Sequence, residues 1–330
     1  MKILFLFCDM LRANKLKIIN PEINSHTCFD EWISNFGGCT YTNCYTPSPD
    51  TPRSLACLYT GLYPKNNGCK TRIEWPAFYL KPEINTIFKS LYEENFNTFT
   101  TFTKAEIKTG ILSKEDLRRV TNYDSIFDLY KSNVIKQSSD NSLFFLNLQD
   151  YHHSVTDYYA LPRSVIKGNR KLINTFDLLF NRYHKDFFDY IFIFSDHGCL
   201  LIDDERDNSK PYQLLRDNRS KIFMHVRKKG EINHKKDSSL KSILDIYPTL
   251  LNILKKSIDS SVDGISLFKS KQDRFIVIED SSVFNPGLGL YNNIWRYKDN
   301  QVSLYLDLEN TLLEYNDKTE HMNSSINSSK

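Results

Sequence analysis

The feature that most constrains the fold is a set of five short apolar runs, rich in aromatic and β-branched residues, that alternate with segments of helical spacing. The runs cover residues 3–7, 96–103, 142–149, 189–195 and 221–226. In 83–95 and 163–187 apolar residues recur every three or four positions, which predicts helices. Runs that are apolar throughout are typical of strands buried on both faces of a parallel sheet. The alternation therefore predicts an α/β protein with a large, mainly parallel sheet flanked by helices.

The pattern changes near the end of the chain. A further helix is predicted over 239–254, in which Pro248 is expected to cause a kink or a restart. Antiparallel strands are predicted over 274–280, 293–299 and 302–308. We therefore expect a main domain over 1–270 and a small antiparallel C-terminal subdomain over 271–330. The polar residues 317–330 are expected to be frayed.

The charge and composition of the sequence limit the kinds of molecule that the protein is expected to bind. The net charge of +3, from 43 basic and 40 acidic residues, offers no broad field for nucleic acid or anionic lipid. The apolar run at the start of the chain is shorter than the roughly 7 to 15 residues of a signal peptide, so it is interpreted as a buried strand. No stretch reaches the roughly 18 apolar residues of a membrane span. A cytoplasmic location and reduced thiols for the seven cysteines are the resulting expectations; the oligomeric state stays open.

Several of the predicted strands are followed directly by residues that carry chemistry. Asp9 follows the first run and Lys104 the second; Asp150, His152 and His153 follow the third; Asp196 and His197 follow the fourth. Ligands of open α/β sheets bind outside the carboxyl ends of the strands, so these side chains are expected to converge on one cleft. Carboxylate oxygen and imidazole nitrogen together suit zinc or manganese, whereas oxygen ligands alone favour calcium or magnesium. The strand ends therefore predict a site for a divalent metal.

A hydroxyl stands at the start of a further predicted helix, in the stretch "SPDTPRSLACLYTGLYP" (48–64). Thr51 precedes the helical run, where free backbone N–H groups and the helix dipole favour an anion. A nearby metal would lower the pKa of this hydroxyl and make Thr51 a nucleophile, with Arg53 available to pair with a bound anion. The simpler interpretation is a helix cap from Asp50 or Thr51 with Pro52 in the first turn. Asp9 as a cap, Lys104 as a solvated lysine and a packed His152 are the corresponding alternatives.

In order along the chain, these motifs resemble the sulfatase branch of the alkaline phosphatase superfamily. "DTPRSLACLYTGLYP" resembles the nucleophile signature of the family, and "LQDYHH" and "FIFSDHG" resemble its strand-end Asp-x-His and Asp-His-Gly motifs. "LDIYPTLLNIL" and "DGISL" (263–267) are similar to its Asp-x-x-Pro-Thr-Leu-Leu helix and Asp-Gly-x-Ser-Leu turn. The resemblance covers nearly the whole chain and implies an alkaline-phosphatase-like α/β sandwich.

Two residues differ from the usual sulfatase pattern, and they change the function that the resemblance implies. Thr51 stands where sulfatases have the Cys or Ser that becomes formylglycine, and Met10 stands where they usually have a second acidic ligand. The remaining set, Asp9, Thr51, Asp196 and His197, resembles that of the phosphoethanolamine and phosphoglycerol transferases, which use a threonine nucleophile. Zinc or manganese is then favoured as a single bound ion, and calcium is the alternative.

The resemblance also implies roles for other residues. His152 would protonate the leaving oxygen, with His153 as its substitute or as a substrate contact. Lys104 and Arg53 would neutralise charge on the transferred group, and Lys210 would contact the substrate anion. The leading hypothesis is a phosphoester hydrolase or phosphotransferase that acts on a soluble small-molecule, nucleotide-linked or glycan ester. A sulfuric ester hydrolase is the alternative, and an inactive binding or scaffold protein is the third hypothesis.

Overall fold

The computed structural model describes residues 1–24, 26–70, 79–138, 141–157, 160–202, 204, 215–269, 274–285, 290–299, 302–306, 312–316 and 321–326. Its strands are β1 Lys2–Cys8, β2 Gly38–Tyr41, β3 Cys44–Tyr45, β4 Asn97–Thr100, β5 Val120–Asn122, β6 Ser142–Leu148, β7 Tyr190–Phe194, β8 Met224–Lys228, β9 His234–Asp237, β10 Lys241–Ser242, β11 Ile276–Asn285, β12 Leu290–Lys298, β13 Val302–Leu306, β14 Leu312–Asn316 and β15 His321–Ile326. Its helices are α1 Cys28–Phe36, α2 Thr51–Thr60, α3 Pro64–Asn67, α4 Ile87–Glu93, α5 Lys104–Lys108, α6 Lys114–Arg119, α7 Ile126–Ser132, α8 Val134–Gln137, α9 Asp150–Asp157, α10 Pro162–Arg182, α11 Asp217–Ser220 and α12 Ile246–Ile253.

The large sheet has eight strands in the order β5-β4-β6-β1-β7-β8-β2-β9. Neighbouring strands are parallel except that β8 is antiparallel to both β7 and β2. The five apolar runs of the sequence supply β4, β6, β1, β7 and β8, so the predicted mainly parallel sheet is confirmed. The position of β1 at the centre also confirms that the first residues of the described chain form a buried strand.

The two faces of this sheet bury separate cores. Along β1, Ile3, Phe5 and Phe7 face one core and Leu4, Leu6 and Cys8 face the other. Helices α2, α4 and α12 cover the first face, and α1, α9 and α10 cover the second. This alternation explains why the strand is apolar at every position, because the side chains of a strand point to opposite faces in turn.

The predicted helices form with shifted ends. The segment predicted over 83–95 becomes α4, which begins after Thr86 because its hydroxyl accepts the backbone N–H of Lys89. The segment predicted over 163–187 becomes α10, which ends before the extended Tyr183. The helix predicted over 239–254 is wrong for its first part, which forms β10 and a 3₁₀ turn over Ile243–Asp245, and α12 begins at Ile246. Pro248 is the third residue of α12, in the first turn, where a backbone N–H has no partner within the helix.

The C-terminal strands β11 to β15 form a separate antiparallel sheet in sequential order. This confirms the small C-terminal sheet, whereas the division at residue 270 stays a prediction. The expectation of a frayed end is wrong for residues 321–326, because β15 pairs with β14. No helix in the described ranges is both long and apolar enough to cross a bilayer.

Candidate metal and nucleophile site

Two buried aspartates meet at the carboxyl end of the sheet. Strands β1 and β7 are parallel neighbours with Phe7 opposite Phe194, so Asp9 and Asp196, each two residues further on, arrive side by side. Asp9 is 6% exposed and Asp196 is fully buried. The backbone N–H of Met10, held at φ +61°, donates to Oδ1 of Asp196 at 3.2 Å. Met10 therefore contributes a backbone contact at the position where a second acidic residue is usual.

One oxygen of each carboxylate has no hydrogen-bond donor among the described residues. Within the described part of the chain, Oδ1 of Asp9 and Oδ2 of Asp196 are buried and accept no hydrogen bond. Burial raises the pKa of both from 3.8 to about 7, and the charge of Asp196 adds to the rise for Asp9. Buried carboxylates with unsatisfied oxygens are costly unless a cation pairs with them. The pair therefore has the chemistry of a cation site.

His197 places a ring nitrogen beside the two carboxylates. Its Nδ1 lies 2.6 Å from the carbonyl oxygen of Gly198, and a carbonyl only accepts, so the proton of the neutral ring is on Nδ1. Nε2 keeps its lone pair and lies 3.3 Å from Oδ2 of Asp196. Burial lowers the pKa of His197, which favours the neutral ring. Ligand atoms of Asp9, Asp196 and His197 lie within 4.8 Å of one another, so the three residues could hold one metal ion.

A glycine permits the close approach of this histidine turn. A Cβ on Gly198 would lie 2.2 Å from the carbonyl oxygen of Asn218, nearer than any real Cβ contact. The backbone N–H of Gly198 donates to the carbonyl of Arg219 at 2.8 Å. The Asp-His-Gly motif of the sequence is therefore explained residue by residue: a carboxylate ligand, an imidazole ligand and a glycine that lets the α11 segment pack against the turn.

The hydroxyl of Thr51 reaches the same cluster. Thr51 is the first residue of α2, and its Oγ1 lies 3.1 Å from Nε2 of His197. The cap of the helix is Asp50, whose side chain accepts the backbone N–H of Arg53. Asp50 therefore performs the capping role, and the Thr51 side chain contacts His197 instead. Thr51 is only partly buried, so a ligand can approach it.

Arg53 is buried at the start of α2, where it pairs with carboxylates. The guanidinium is fully buried; Nε donates to Asp50 at 2.6 Å and Nη2 lies 3.4 Å from Asp280. Arg219 pairs with the same Asp280 and also donates to the carbonyl of Pro49 at 2.6 Å. Burial alone would raise the pKa of Asp50, but Arg53 holds it below its usual range. These ion pairs fix the start of α2 to β11.

Ser54, three residues after Thr51 on α2, also carries a hydroxyl, and that hydroxyl has a structural contact. Its side chain is fully buried, and Oγ donates to the backbone carbonyl of Asp196 at 2.8 Å. The same Oγ lies 2.7 Å from Oγ1 of Thr46. Ser54 therefore ties α2 to the strand end that carries Asp196, and its hydroxyl faces protein instead of the cluster.

The remaining predicted residues lie at different distances from this centre. His152 is half-buried near the start of α9; burial and the nearby charges of His153 and His197 lower its pKa. Its Nδ1 is buried and has no partner among the described residues. His153 is exposed, as is Lys104 at the first residue of α5. Lys210 lies outside the described residues.

A row of polar side chains behind Asp9 was not predicted from the sequence. Oε2 of Glu106 accepts from Nδ2 of Asn147 at 2.6 Å, so Oδ1 of Asn147 faces the next residue. Nε2 of Gln149 donates both to that Oδ1, at 2.7 Å, and to Oδ2 of Asp9, at 3.0 Å. This series of hydrogen bonds fixes the orientation of each amide. It leaves Oδ1 of Asp9 directed at Asp196 and His197. The register of β6 against β1 explains the contact: Phe7 pairs with Asn147, so Asp9 comes opposite Gln149.

Comparison with known proteins defines the fold. Neither a protein-family model nor a curated protein matches the sequence. The structure has the fold of the sulfatase-like branch of the alkaline phosphatase superfamily, as the resemblance of the motifs predicts. A 2-O GAG sulfatase matches with a TM-score of 0.71 and 13% identity, over 96% of this chain and 85% of that protein. An alkaline phosphatase superfamily protein from Vibrio parahaemolyticus matches with a TM-score of 0.65 and 15% identity, over 98% and 81%. A phosphonate monoester hydrolase of Agrobacterium radiobacter matches with a TM-score of 0.64 and 13% identity, over 97% and 90%.

Proposed function

We propose that the protein is a metal-dependent phosphoester hydrolase or phosphotransferase in which Thr51 is the nucleophile. The observation that carries this proposal is the 3.1 Å contact between Oγ1 of Thr51 and Nε2 of His197, beside two carboxylates with unsatisfied oxygens. No other described group combines the burial and composition of a metal site with a partly exposed hydroxyl in this way. The similarity in fold to a phosphonate monoester hydrolase supports chemistry at phosphorus.

Asp9, Asp196 and His197 would hold one divalent ion, with Thr51 as a further ligand. The mixed oxygen and nitrogen donors favour zinc or manganese over calcium. When bound, such an ion lowers the pKa of a coordinated hydroxyl and stabilises negative charge on the transferred group. Gln149 holds Oδ2 of Asp9, so this ligand would present a single oxygen to the ion.

Thr51 then attacks the phosphorus of the ester. Oγ1 forms a bond to phosphorus and gives up its proton to solvent water, while the bond from phosphorus to the leaving oxygen breaks. The leaving oxygen takes a proton from the ring of His152, so the step is balanced in protons. Water or an acceptor hydroxyl next attacks the phosphothreonine, and Oγ1 regains a proton as the phosphoryl group leaves.

Other residues are assigned by their positions. Arg53 is buried in its ion pairs, so we assign it a positioning role for the start of α2 instead of contact with the transferred group. Lys104 and His153 are exposed beyond the ends of β4 and β6. There they would interact electrostatically with the substrate anion. Lys210 keeps its proposed contact with that anion.

A sulfuric ester hydrolase is the second candidate. It is favoured by the similarity to the 2-O GAG sulfatase, whose TM-score of 0.71 exceeds those of the other two similar structures, 0.65 and 0.64. Thr51 cannot form the formylglycine of sulfatases, so this candidate needs the threonine itself to attack sulfur. The two candidates therefore share a nucleophile and differ in the element that it attacks.

The test is a metal add-back assay. Chelated protein is given zinc, manganese or calcium and assayed with p-nitrophenyl phosphate, bis-p-nitrophenyl phosphate and p-nitrophenyl sulfate. We expect zinc or manganese to restore cleavage of a phosphate ester, and Thr51→Ala to lower it by about three orders of magnitude or more while metal binding persists. Thr51→Ser, which keeps the hydroxyl, is the matched control and should retain activity. Sulfate cleavage alone would select the second candidate; no turnover with any metal would indicate a binding or scaffold protein.

A further inference from the structure

Glu106 is a buried acid that lies outside the metal cluster and has no part in the proposed reaction. It is the third residue of α5. Burial raises its pKa from 4.5 to about 7. Hydrogen bonds offset only part of the cost of burying this carboxyl group, because Oε1 is buried and has no partner among the described residues. Stability alone therefore does not explain an acid at this position.

The other oxygen of Glu106 is fixed as a hydrogen-bond acceptor. Oε2 accepts the backbone N–H of Thr103 at 2.7 Å, as part of the capping box of α5. It also accepts Nδ2 of Asn147 at 2.6 Å. A backbone N–H can only donate, and two N–H donors occupy both lone pairs of Oε2. Any proton that Glu106 binds therefore lies on Oε1, and Oε2 accepts from Asn147 whether the acid is charged or neutral.

The direction set by Oε2 continues from Glu106 to Asp9. Asn147 turns its Nδ2 to Glu106, so its Oδ1 faces Gln149. This Oδ1 can only accept, and the group of Gln149 that lies between it and Asp9 is therefore the donor Nε2. The opposite orientation would place Oε1 of Gln149 against the carboxylate of Asp9. Glu106 thus determines that a donor meets Oδ2 of the metal ligand.

The surroundings protect this series of hydrogen bonds from water. Glu106 and Asn147 are each 6% exposed, and Gln149 is half-buried. The titratable groups that interact with Glu106 are Tyr59 on α2 and Asp9. Burial and the charge of Glu106 raise the pKa of Tyr59, which therefore keeps its proton, and the charge of Asp9 adds to the effect of burial on Glu106. With water largely excluded and neither neighbour a cation, the series keeps one direction.

We infer that Glu106 is a positioning residue for the metal ligand Asp9, and that it acts by giving the side-chain amides of Asn147 and Gln149 a single direction. Three hydrogen bonds separate Glu106 from Asp9. The inference rests on the metal site of the proposed function and not on the reaction. What Asn147 requires from Glu106 is a hydrogen-bond acceptor, so an uncharged acceptor should serve equally well.

Zinc affinity, measured by chelator competition, is the first readout. Glu106→Met keeps the length of the side chain but removes the acceptor, so it should weaken zinc binding about tenfold, as is usual when a residue that orients a metal ligand is lost. Glu106→Gln can place its carbonyl oxygen at the position of Oε2, and this matched control should bind zinc as tightly as wild type.

Two further variants separate this role from the stability of α5. Thr103→Ala removes the hydroxyl that caps α5 but keeps the backbone N–H, so it should lower Tm and leave zinc affinity unchanged. Asn147→Val interrupts the series from β6 and should weaken zinc binding as much as Glu106→Met does. The second variant tests the same contacts in a protein whose α5 is intact.

A double-mutant cycle shows whether the effect passes through Gln149. Glu106→Met combined with Gln149→Leu should bind zinc no more weakly than Gln149→Leu alone, because the amide that Glu106 directs is already absent. Additive losses in the double variant would overturn the inference. Wild-type affinity in Glu106→Met, or an equal loss in Glu106→Gln, would also overturn it and leave the metal site and the reaction standing.

A readout without metal separates the inference from the proposed metal site. NMR of the side-chain amides in isotope-labelled, chelated protein shows whether Asn147 and Gln149 each have one orientation. One set of signals in wild type and Glu106→Gln, with two sets in Glu106→Met, supports the inference even in a protein that binds no zinc, where only the metal site is refuted. A single unchanged set in Glu106→Met overturns it.

Discussion

Replacing Asp196 by Asn should stabilise the chelated protein at high pH while removing its ability to bind metal. Burial raises the pKa of Asp196 from 3.8 to about 7. An acid whose pKa is higher in the folded state holds its proton more tightly there, so folding is favoured at low pH. That stability is lost as the pH rises from about 4 to about 7 and stays lost above it. Asn has no charge to bury and escapes the loss.

The expected size of the effect follows from the shift. At 1.36 kcal/mol per pKa unit, a rise from 3.8 to about 7 corresponds to about 4 kcal/mol of the free energy of unfolding at pH 8. At pH 4 the same calculation gives an effect of less than about 1 kcal/mol on the free energy of unfolding. For a chain of 330 residues, about 4 kcal/mol corresponds to a rise in Tm of about 6 °C. The gain of the variant should therefore grow with pH.

Denaturant unfolding at pH 4 and pH 8, with chelator and then with zinc, measures both halves of the prediction. Wild type should gain stability from zinc at pH 8, because a ligand that binds only the folded state stabilises it, and the variant should not. Asp157→Asn, at an exposed carboxylate on α9, is the control and should match wild type in both conditions. A variant less stable than wild type at pH 8 in chelator, or one equally stabilised by zinc, would refute the reasoning.

Three further variants test individual contacts. Gln149→Leu should weaken metal binding about tenfold in a chelator competition, because the amide that orients Asp9 is lost; unchanged affinity would show that the contact is unimportant. Ser54→Ala should cost about 1 kcal/mol of stability in denaturant unfolding and keep turnover; inactivity with normal metal content would make Ser54 the nucleophile. Gly198→Ala should cost more than about 2 kcal/mol in thermal unfolding, because its Cβ would meet the Asn218 carbonyl; a wild-type Tm would contradict the observed packing.

The central strands could be predicted because both of their faces are buried. A strand such as β6 is buried at every residue, so its sequence is apolar throughout. Strands β5 and β9 were not predicted, because they are short and their sequences, Val120–Asn122 and His234–Asp237, are largely polar. The antiparallel direction of β8 was not predicted either, since the apolar pattern of a strand is the same in both directions.

The meeting of Asp9 with Asp196 and His197 could be predicted because each of these residues follows the end of a strand. Asp9 and Asp196 each follow an apolar run directly, and the rule for α/β sheets brings such positions together. Glu106 and Gln149 could not be assigned in the same way. Their contacts depend on the packing of α5 and on the register of β6 against β1, which a single sequence does not specify. The burial of Arg53 could not be predicted from the sequence either. It depends on the packing of the C-terminal sheet, which carries Asp280.

The most direct test of the account is to identify the covalent intermediate. Protein turning over p-nitrophenyl phosphate with zinc is quenched in acid, digested and mapped by mass spectrometry. We predict a phosphoryl group on Thr51 that forms only with metal present and is absent from Asp196→Asn. Turnover with the phosphoryl group on another residue, or undiminished turnover by Thr51→Ala, would contradict the assignment of Thr51 as the nucleophile.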